Sequence, residues 1–220
     1  MLVTHLGHSC LLVEIADQRI LIDPGTFTSG FEELTDLDAV LVTHQHPDHL
    51  DQERLPQLLR RNPDAKLLTD PETAAQLREH KFDVEELPSR QSWGFGDAQV
   101  EAHLGAHAVI HEDIPRIGNT GLKIFVPGEI SLFHPGDALD IDPGAVDVVA
   151  LPVNAPWCAM KESIDFVRRL APKAFVPIHD GLLAQRGRQL YVGQIDRLAG
   201  EEISLCDLAE RGPVDLAVLS

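Results

Sequence analysis

Four side chains that can bind a metal ion stand within six positions of one another, in the segment T-H-Q-H-P-D-H at residues 43–49. The segment follows a short, continuous apolar run of the kind found in buried strands. A strand presents residues i and i+2 on the same side, so His44 and His46 are placed to contact one ion. Asp48 and His49 follow in the turn and can reach a second position nearby. Imidazole nitrogens and carboxylate oxygens are ligands that divalent cations such as zinc accept, so the pattern predicts a metal site at the end of this strand.

Short apolar runs divided by turn residues predict a chain rich in strands, with helices between the later ones. Strands are predicted at residues 2–6, 10–15, 19–22, 39–43, 66–69, 98–104, 120–126, 130–133, 146–151 and 174–178. Helices are predicted at residues 51–61, with a regular part that begins near residue 55, from residue 70 onwards, and at residues 161–170 and 189–199. No linker, low-complexity tract or short repeat divides the chain. We therefore expect a single α/β domain spanning residues 1–220, with layered sheets inside and helices outside.

The composition is that of a folded globular protein. Its 220 residues are 44% hydrophobic and 24% charged, which excludes a disordered chain and a disulfide-stapled mini-protein. No apolar run reaches the roughly 18 residues that a transmembrane helix needs. The amino-terminal segment lacks the basic residues of a signal peptide, and the three scattered cysteines are typical of reduced thiols. A cytoplasmic location is expected from these features.

The charge of the chain narrows the class of partner. The formal net charge is −17 at pH 7, and the acidic residues are spread along the sequence. Duplex DNA, long RNA and anionic lipid are bound through basic surfaces, so we expect neither a nucleic acid nor a membrane as partner. The expected partner is a small-molecule substrate. A homo-oligomer is compatible with the sequence, although no interface is visible in it.

The motif T-H-x-H-x-D-H after an apolar strand resembles the metallo-β-lactamase superfamily, and five further segments extend the resemblance across nearly the whole chain. G-H-S at residues 7–9 and I-D-P-G at residues 22–25 resemble the opening strands of its ascorbate-lactonase-like branch. G-A-H at residues 105–107, H-P-G-D at residues 134–137 and P-I-H-D at residues 177–180 resemble the segments that supply the remaining ligands. The resemblance implies a four-layer αβ/βα sandwich of the metallo-β-lactamase type, with metal ions at one edge between the sheets.

Carried over to this chain, the resemblance implies two metal sites that share a carboxylate. The first ion would be held by His44, His46 and His107, and the second by Asp48, His49 and His179. Asp137 would bridge both ions, and Asp48 would also orient the attacking water as a catalytic residue. His107 fits the family spacing better than His103. The expected cofactors are therefore two divalent metal ions, zinc or manganese, with iron as an alternative.

Four other residues are predicted to support a ligand or to contact substrate: His8, Asp23, His111 and His134. For Asp23, which precedes Pro24 at a strand end, initiation of a turn is the alternative. For His111, the alternative is an ordinary position in a solvated loop.

Two cations held close together lower the pKa of a water molecule and polarise an electrophile, which is the chemistry of hydrolysis. The oxygen-reducing di-iron branch of the superfamily has glutamate where this chain has His46, so hydrolysis is favoured over redox chemistry. We predict a metal-dependent hydrolase acting on a small ester, lactone or phosphodiester. Two alternatives stay open: a metal-binding sensor or scaffold module without turnover, and a thioesterase of the glyoxalase II kind. The second is disfavoured by the tail at residues 201–220, where Arg211 is the only basic residue.

Overall fold

The computed structural model describes residues 1–87 and 92–219, and within them two mixed β-sheets pack face to face with helices on their outer surfaces. The strands are β1 Leu2–Gly7, β2 Cys10–Ile15, β3 Gln18–Ile22, β4 Ala39–Val42, β5 Lys66–Thr69, β6 Glu85–Glu86, β7 Ser92–Phe95, β8 Ala98–Ala106, β9 Gly118–Phe125, β10 Ser131–His134, β11 Val148–Pro152, β12 Ala174–Ile178, β13 Ser204–Leu205 and β14 Val214–Asp215. The helices are α1 Leu55–Arg61, α2 Pro71–Glu79, α3 Met160–Leu170 and α4 Gln185–Ala199, with short 3-10 helices at Phe31–Glu33 and Leu216–Leu219. No helix in the described ranges combines the length and the apolar composition of a membrane span.

Each sheet has an antiparallel part and a parallel part. The first sheet has the order β14-β1-β2-β3-β4-β5-β6, antiparallel from β14 to β3 and parallel from β3 to β6. The second has the order β13-β12-β11-β10-β9-β8-β7, parallel from β13 to β10 and antiparallel from β10 to β7. The carboxyl ends of parallel strands meet at one edge of a sheet, which is where ligands usually bind in such folds.

Alternation along the buried strands builds three apolar layers. In β4, Ala39 and Leu41 belong to the layer between the two sheets, whereas Val40 and Val42 belong to the layer beneath α1 and α2. The residues of β11 alternate in the same way between the central layer and the layer beneath α3 and α4. Because both sheets are covered on both faces, their central strands are continuous apolar runs. The result is a four-layer αβ/βα sandwich, which confirms the predicted fold class.

The last long helix starts earlier than its apolar pattern indicates. The sequence predicts a start at residue 189, but α4 begins at Gln185. Its first turn is held by Arg188, whose Nε donates to Asp180 Oδ2 at 2.6 Å and whose two terminal nitrogens donate to Asp207 at 2.8 and 2.7 Å. Charge-assisted bonds of this kind replace the apolar contacts on which the prediction depends.

Candidate metal centre

All seven side chains predicted to bind metal lie at the edge where the carboxyl ends of the parallel strands meet. They follow β4 (His44, His46, Asp48 and His49), β8 (His107), β10 (Asp137) and β12 (His179). All are buried except His46 and Asp48, which are partly accessible. The fold therefore brings these residues together, and their role as ligands stays a prediction.

The side chains form two adjacent groups, in each of which one atom per residue lies within 4.8 Å of the others. Group A comprises His44, His46, His107 and Asp137, and group B comprises His8, Asp48, His49 and His179. This division parallels the predicted pair of sites. It differs in placing His8 among the residues of the second site.

Asp137 contacts both groups. Its Oδ1 lies 3.1 Å from Nε2 of His49, in group B. Its Oδ2 lies 3.2 Å from Nε2 of His107, in group A, and 3.3 Å from Nε2 of His179, in group B. One buried carboxylate therefore faces histidines of both groups, as expected of a residue that bridges two ions.

Three of the histidines have a ring nitrogen fixed by a hydrogen bond that points away from the cluster. In each case Nδ1 is bonded to an oxygen: Asp23 Oδ2 at 2.6 Å for His49, the Ala108 carbonyl at 2.6 Å for His107 and the Asn154 carbonyl at 2.7 Å for His179. A carbonyl or carboxylate oxygen requires the proton on Nδ1, so a neutral ring presents Nε2 as an acceptor towards the cluster. This arrangement is the usual one for a histidine that ligates a metal through Nε2.

The electrostatics of the cluster suit a cation. Burial lowers the pKa of His44 well below its usual range and also lowers that of His46, so both rings stay neutral. Burial acts to raise the pKa of Asp137, but His49 and His179 hold it well below its usual range. Burial acts to lower the pKa of His49, but the carboxylates of Asp137 and Asp23 together outweigh this and raise it well above its usual range. A cation that binds at His49 therefore displaces a proton.

Asp23 supports one histidine of each group. Its Oδ2 accepts from Nδ1 of His49 at 2.6 Å and from the hydroxyl of Thr43 at 2.8 Å, and its Oδ1 accepts from the Thr43 N–H at 2.8 Å. Because the hydroxyl proton is directed to Asp23, Oγ1 of Thr43 accepts from Nδ1 of His44 at 3.0 Å. One buried carboxylate thus orients His49 directly and His44 through Thr43.

Replacement of Asp23 by asparagine is expected to weaken metal binding at both groups, by about 10- to 100-fold. Asparagine tolerates the same backbone conformation, so the loss reflects the charge and the hydrogen bonds. Zinc affinity would be measured by competition with a chromophoric chelator. The matched control is Asp147→Asn, because Asp147 Oδ2 accepts from the Ser131 N–H at 2.8 Å and the Ser131 hydroxyl at 2.7 Å at the start of β10. Unchanged zinc affinity, or a loss confined to group B, would contradict the conclusion that Asp23 orients histidines of both groups.

His8 lies in group B, but its hydrogen bonds indicate that it donates a proton to Asp48 and is not itself free to ligate a metal ion. Its Nδ1 accepts from the Gly181 N–H at 3.1 Å, so the proton of the neutral ring is on Nε2. Nε2 donates to Oδ2 of Asp48 at 3.1 Å. Burial lowers the pKa of His8, which keeps the ring neutral. Burial acts to raise the pKa of Asp48, but the bond from His8 holds it well below its usual range, so the carboxylate stays ionised.

Three of these residues have a backbone in the left-handed region. The φ angles are 54° at His8, 48° at Asp23 and 60° at His179. For residues with a Cβ atom such angles cost roughly 1–2 kcal/mol each. The neighbouring backbone holds them in place, since the His179 N–H donates to the His8 carbonyl at 2.8 Å and the Asp23 N–H donates to the Leu41 carbonyl at 2.9 Å.

The other two predicted histidines lie outside the groups. Nε2 of His134 donates to the Ser9 carbonyl at 2.9 Å, and its Nδ1 accepts from the Gly136 N–H at 3.1 Å, so the ring supports the turn that carries Asp137. His111 is exposed, and its Nδ1 accepts from the Asp113 N–H at 3.1 Å. The structure does not bring His111 to the cluster, and a contact with substrate stays a prediction for it.

Two residues of the site are absent from the sequence-based set. Nε1 of Trp157 donates to Asp137 Oδ2 at 2.8 Å, and Oδ1 of Asn119 accepts from the Asp137 N–H at 2.9 Å. Asn119 lies within β9, where nothing in the sequence marks it. Trp157 follows β11, so its position after a parallel strand is the one signal that could have indicated it.

Unsatisfied polar atoms test whether the cluster fits a cation. Within residues 1–87 and 92–219, the buried atoms without a hydrogen-bond partner include Nε2 of His49, Nε2 of His179 and Oδ1 of Asp137. His49 Nε2 lies 3.1 Å from Asp137 Oδ1 without hydrogen-bond geometry, so both atoms are left without a hydrogen-bond partner. Buried polar groups are rarely left unpaired, and a divalent cation bound by nitrogen and oxygen would satisfy all three. The residues present fit a metal ion.

Comparisons with known proteins agree with the geometry. The family model described as a beta-lactamase superfamily domain matches residues 2–179. Protein Rv0786c of Mycobacterium tuberculosis is 46% identical over 205 residues, covering 90% of this chain and 92% of its own length. The UPF0173 metal-dependent hydrolase PH1671 of Pyrococcus horikoshii is 27% identical, covering 80% of this chain and 83% of its own.

A solved structure has the same fold. Igni18, described as a novel metallo hydrolase from the hyperthermophilic archaeon Ignicoccus hospitalis, superposes with a TM-score of 0.72 at 19% sequence identity. The match covers 98% of each chain. At this identity the likeness concerns the arrangement of sheets and helices alone.

Proposed function

The chain belongs to the β-lactamase superfamily and is a metal-dependent hydrolase, and we propose that it acts through two divalent cations held side by side in groups A and B. The observation that carries this proposal is the position of Asp137, whose two oxygens lie 3.1 and 3.2 Å from histidines of different groups. A carboxylate shared in this way offsets part of the repulsion between two neighbouring cations.

The ligands would divide between the two ions as follows: His44, His46 and His107 for the first, and Asp48, His49 and His179 for the second, with Asp137 shared. His8 is left out because its Nε2 carries the proton that it donates to Asp48. Nitrogen and oxygen donors accept zinc, manganese and iron, and we propose zinc or manganese as the resident ions, with iron as the alternative.

Bound cations supply Lewis acidity and lower the pKa of water, which makes a nucleophile available near neutral pH. The residues of the chain position the reactants. His8 donates to Oδ2 of Asp48, which leaves Oδ1 to accept a hydrogen bond from the attacking water. The pKa of Asp48 is held well below its usual range, so this carboxylate orients the water without retaining its proton. The proposed substrates are small esters, lactones or phosphodiesters.

Elemental analysis tests the pair of sites. Protein purified without chelator or histidine tag is expected to contain close to two equivalents of zinc, manganese or iron per chain. His46→Ala should lower the content to about one equivalent by opening group A, and Asp48→Ala should do so by opening group B, since each variant removes a ligand of one ion only. His80→Ala is the control, because His80 is an exposed residue at the end of α2. One equivalent in the unmodified protein would contradict the paired arrangement, and none after reconstitution would contradict the metal-dependent reaction itself.

A further inference from the structure

A cleft of about 480 Å³ opens beside the metal centre, between the loop after β8 and helix α3. Its walls include the side chains of Val109, Leu139, Trp157 and Phe166. The volume lies in the range of pockets that hold small organic ligands, and such pockets are lined mainly by apolar and aromatic side chains.

The cleft borders residues that position the metal centre. Trp157 is one of its walls and donates from Nε1 to Asp137 Oδ2 at 2.8 Å. Ala108 is another lining residue, and its carbonyl is bonded to Nδ1 of His107 at 2.6 Å. A molecule seated in the cleft therefore lies against the residues that hold group A in place.

Several exposed apolar side chains lie near residues of the site, in space or in sequence. Within the described residues, four of the eight large apolar side chains that are exposed lie here: Phe27 (47% exposed), Val109 (60%), Ile114 (47%) and Leu182 (53%). The Phe27 ring packs edge-on against His8 with centroids 5.0 Å apart, and Val109 and Ile114 line a small cavity that reaches His46. Leu182 follows His179 by three residues. Apolar side chains grouped around a site favour an apolar ligand there.

The charges in the cleft disfavour an anion. Three acidic side chains line it, those of Asp140, Glu162 and Asp165. The two lining arginines are engaged by the protein itself. Arg116 donates to the carbonyls of Ala106 and His107, and Arg169 donates to the carbonyls of Leu139 and Ile141 at 2.8 and 3.2 Å while its guanidinium lies 5.2 Å from the Phe166 ring centroid. Arg116 also lies 3.5 Å from Asp140, and the lining carries three negative charges against two positive ones, which favours a neutral group over an anionic one in the cleft.

We propose that the cleft binds the neutral, apolar part of the substrate, an alkyl chain or an aryl ring attached to a carboxylic ester or lactone. This inference rests on the proposed hydrolytic function and selects among its substrate classes. In the reaction the acyl C–O bond breaks, the oxygen of water bonds to the acyl carbon, and the leaving oxygen takes a proton, so no co-reactant besides water is needed. Val109 and Trp157 are the specificity-determining residues.

A series of neutral esters tests the cleft in the metal-loaded protein. For the p-nitrophenyl esters of acetate, butyrate and hexanoate, kcat/KM is expected to rise about fourfold per added methylene, as for transfer of a CH₂ group out of water. Bis(p-nitrophenyl) phosphate is expected to be the poorer substrate. Val109→Asp should flatten the dependence on chain length, because the carboxylate adds a charge at an exposed position of the mouth. The matched control is Leu190→Asp, which places the same charge at an exposed position of α4.

Binding is measured separately from turnover. The chain has two tryptophans, so Trp93→Phe leaves Trp157 as the reporter of the cleft. Titration with 1-octanol, which has no ester to cleave, is expected to change Trp157 fluorescence, with an affinity that falls about tenfold in Val109→Asp because a carboxylate must be desolvated. Dimethyl phosphate should cause no change.

The outcomes separate the two proposals. Suppose that octanol binds but no ester or phosphodiester is cleaved, whichever metal the protein is loaded with. This result would support the assignment of the cleft to an apolar group and overturn the hydrolytic function. Cleavage without a chain-length dependence, combined with no response to octanol, would leave the hydrolase in place and overturn the assignment of the cleft. A preference for the phosphodiester would also overturn it.

Discussion

Replacement of Asp137 by alanine is expected to lower the metal content from about two equivalents to one or none, and to lower kcat/KM by roughly a thousandfold or more. The magnitude corresponds to several kcal/mol of transition-state stabilisation, which is what a metal ion supplies in hydrolysis. Both effects are expected together because Asp137 directly contacts histidines of both groups.

The loss has a second physical cause in the protein itself. The variant removes the negative charge that faces His49, His107 and His179, so a cation bound among these rings would lose the carboxylate that offsets its charge. Asp137→Asn keeps the shape of the side chain and removes its charge, and it should lose nearly as much metal. Inductively coupled plasma mass spectrometry and ester hydrolysis would be measured on the same samples.

Asp142→Ala is the control for this prediction, because Asp142 is an exposed acid in the loop that follows, bonded to the Gly144 N–H. Thermal unfolding of each variant separates loss of metal from loss of fold. Retention of two equivalents in Asp137→Asn would show that the carboxylate does not bridge the ions.

Replacement of Gly25 by alanine is expected to destabilise the protein by about 3 kcal/mol and to disrupt group B. A Cβ atom at Gly25 would lie 1.8 Å from the carbonyl oxygen of Asp48 and 2.6 Å from the backbone nitrogen of His49. These are backbone atoms, so no rotation of a side chain relieves the overlap. The loop after β3 and the turn that carries two predicted ligands would have to move apart.

Urea unfolding with and without added zinc measures this effect, together with the metal content. Gly193→Ala is the control: nothing lies within 4 Å of a Cβ atom there, and the position is inside α4, where alanine is expected to stabilise the helix by up to about 1 kcal/mol. If Gly25→Ala retained both its stability and its metal, the close approach of the two loops would have no role in the site.

The sequence predicts best where the evidence is local. His44 and His46 were predicted to lie together from their two-residue spacing after an apolar strand. Their rings are adjacent, with Nε2 of His44 3.2 Å from Nδ1 of His46, although β4 ends at Val42 and both residues lie in the irregular segment that follows it. The strands of the central layers are likewise continuous apolar runs, because both of their faces are covered. These features depend on neighbours in sequence, and the structure has them where the pattern puts them.

Other parts of the site depend on contacts between distant segments. The proximity of His107, Asp137 and His179 to the motif was implied by the family resemblance alone, since no local period relates positions so far apart. The role of His8 as a donor depends on the N–H of Gly181, and that of Trp157 depends on the turn after β10. Side-chain directions of this kind arise from tertiary packing, which one sequence does not encode in any short pattern.

Some strands and turns were not predicted from the pattern of apolar residues. The hairpin of β7 and β8 turns at Gly96 and Asp97, and Gly96 has a left-handed backbone (φ 56°). The Gly-Asp pair in the sequence could have indicated this two-residue turn. The strands β6, β13 and β14 have two residues each, too few to show alternation. Their existence depends on the strands beside them.

The left-handed backbone at His8, Asp23 and His179 has a consequence for how this chain would change over evolutionary time. At each position, glycine would relieve on the order of 1 kcal/mol of strain, while the side chain that performs the chemistry would be lost. The fold itself also opposes glycine there, because all three side chains are at most 1% exposed and their removal would leave cavities. At Asp23 the buried N–H of Thr43 would in addition lose its acceptor. Drift to glycine is therefore closed to this lineage unless neighbouring residues change as well, so the strained backbone is expected to persist even in a descendant that abandons catalysis.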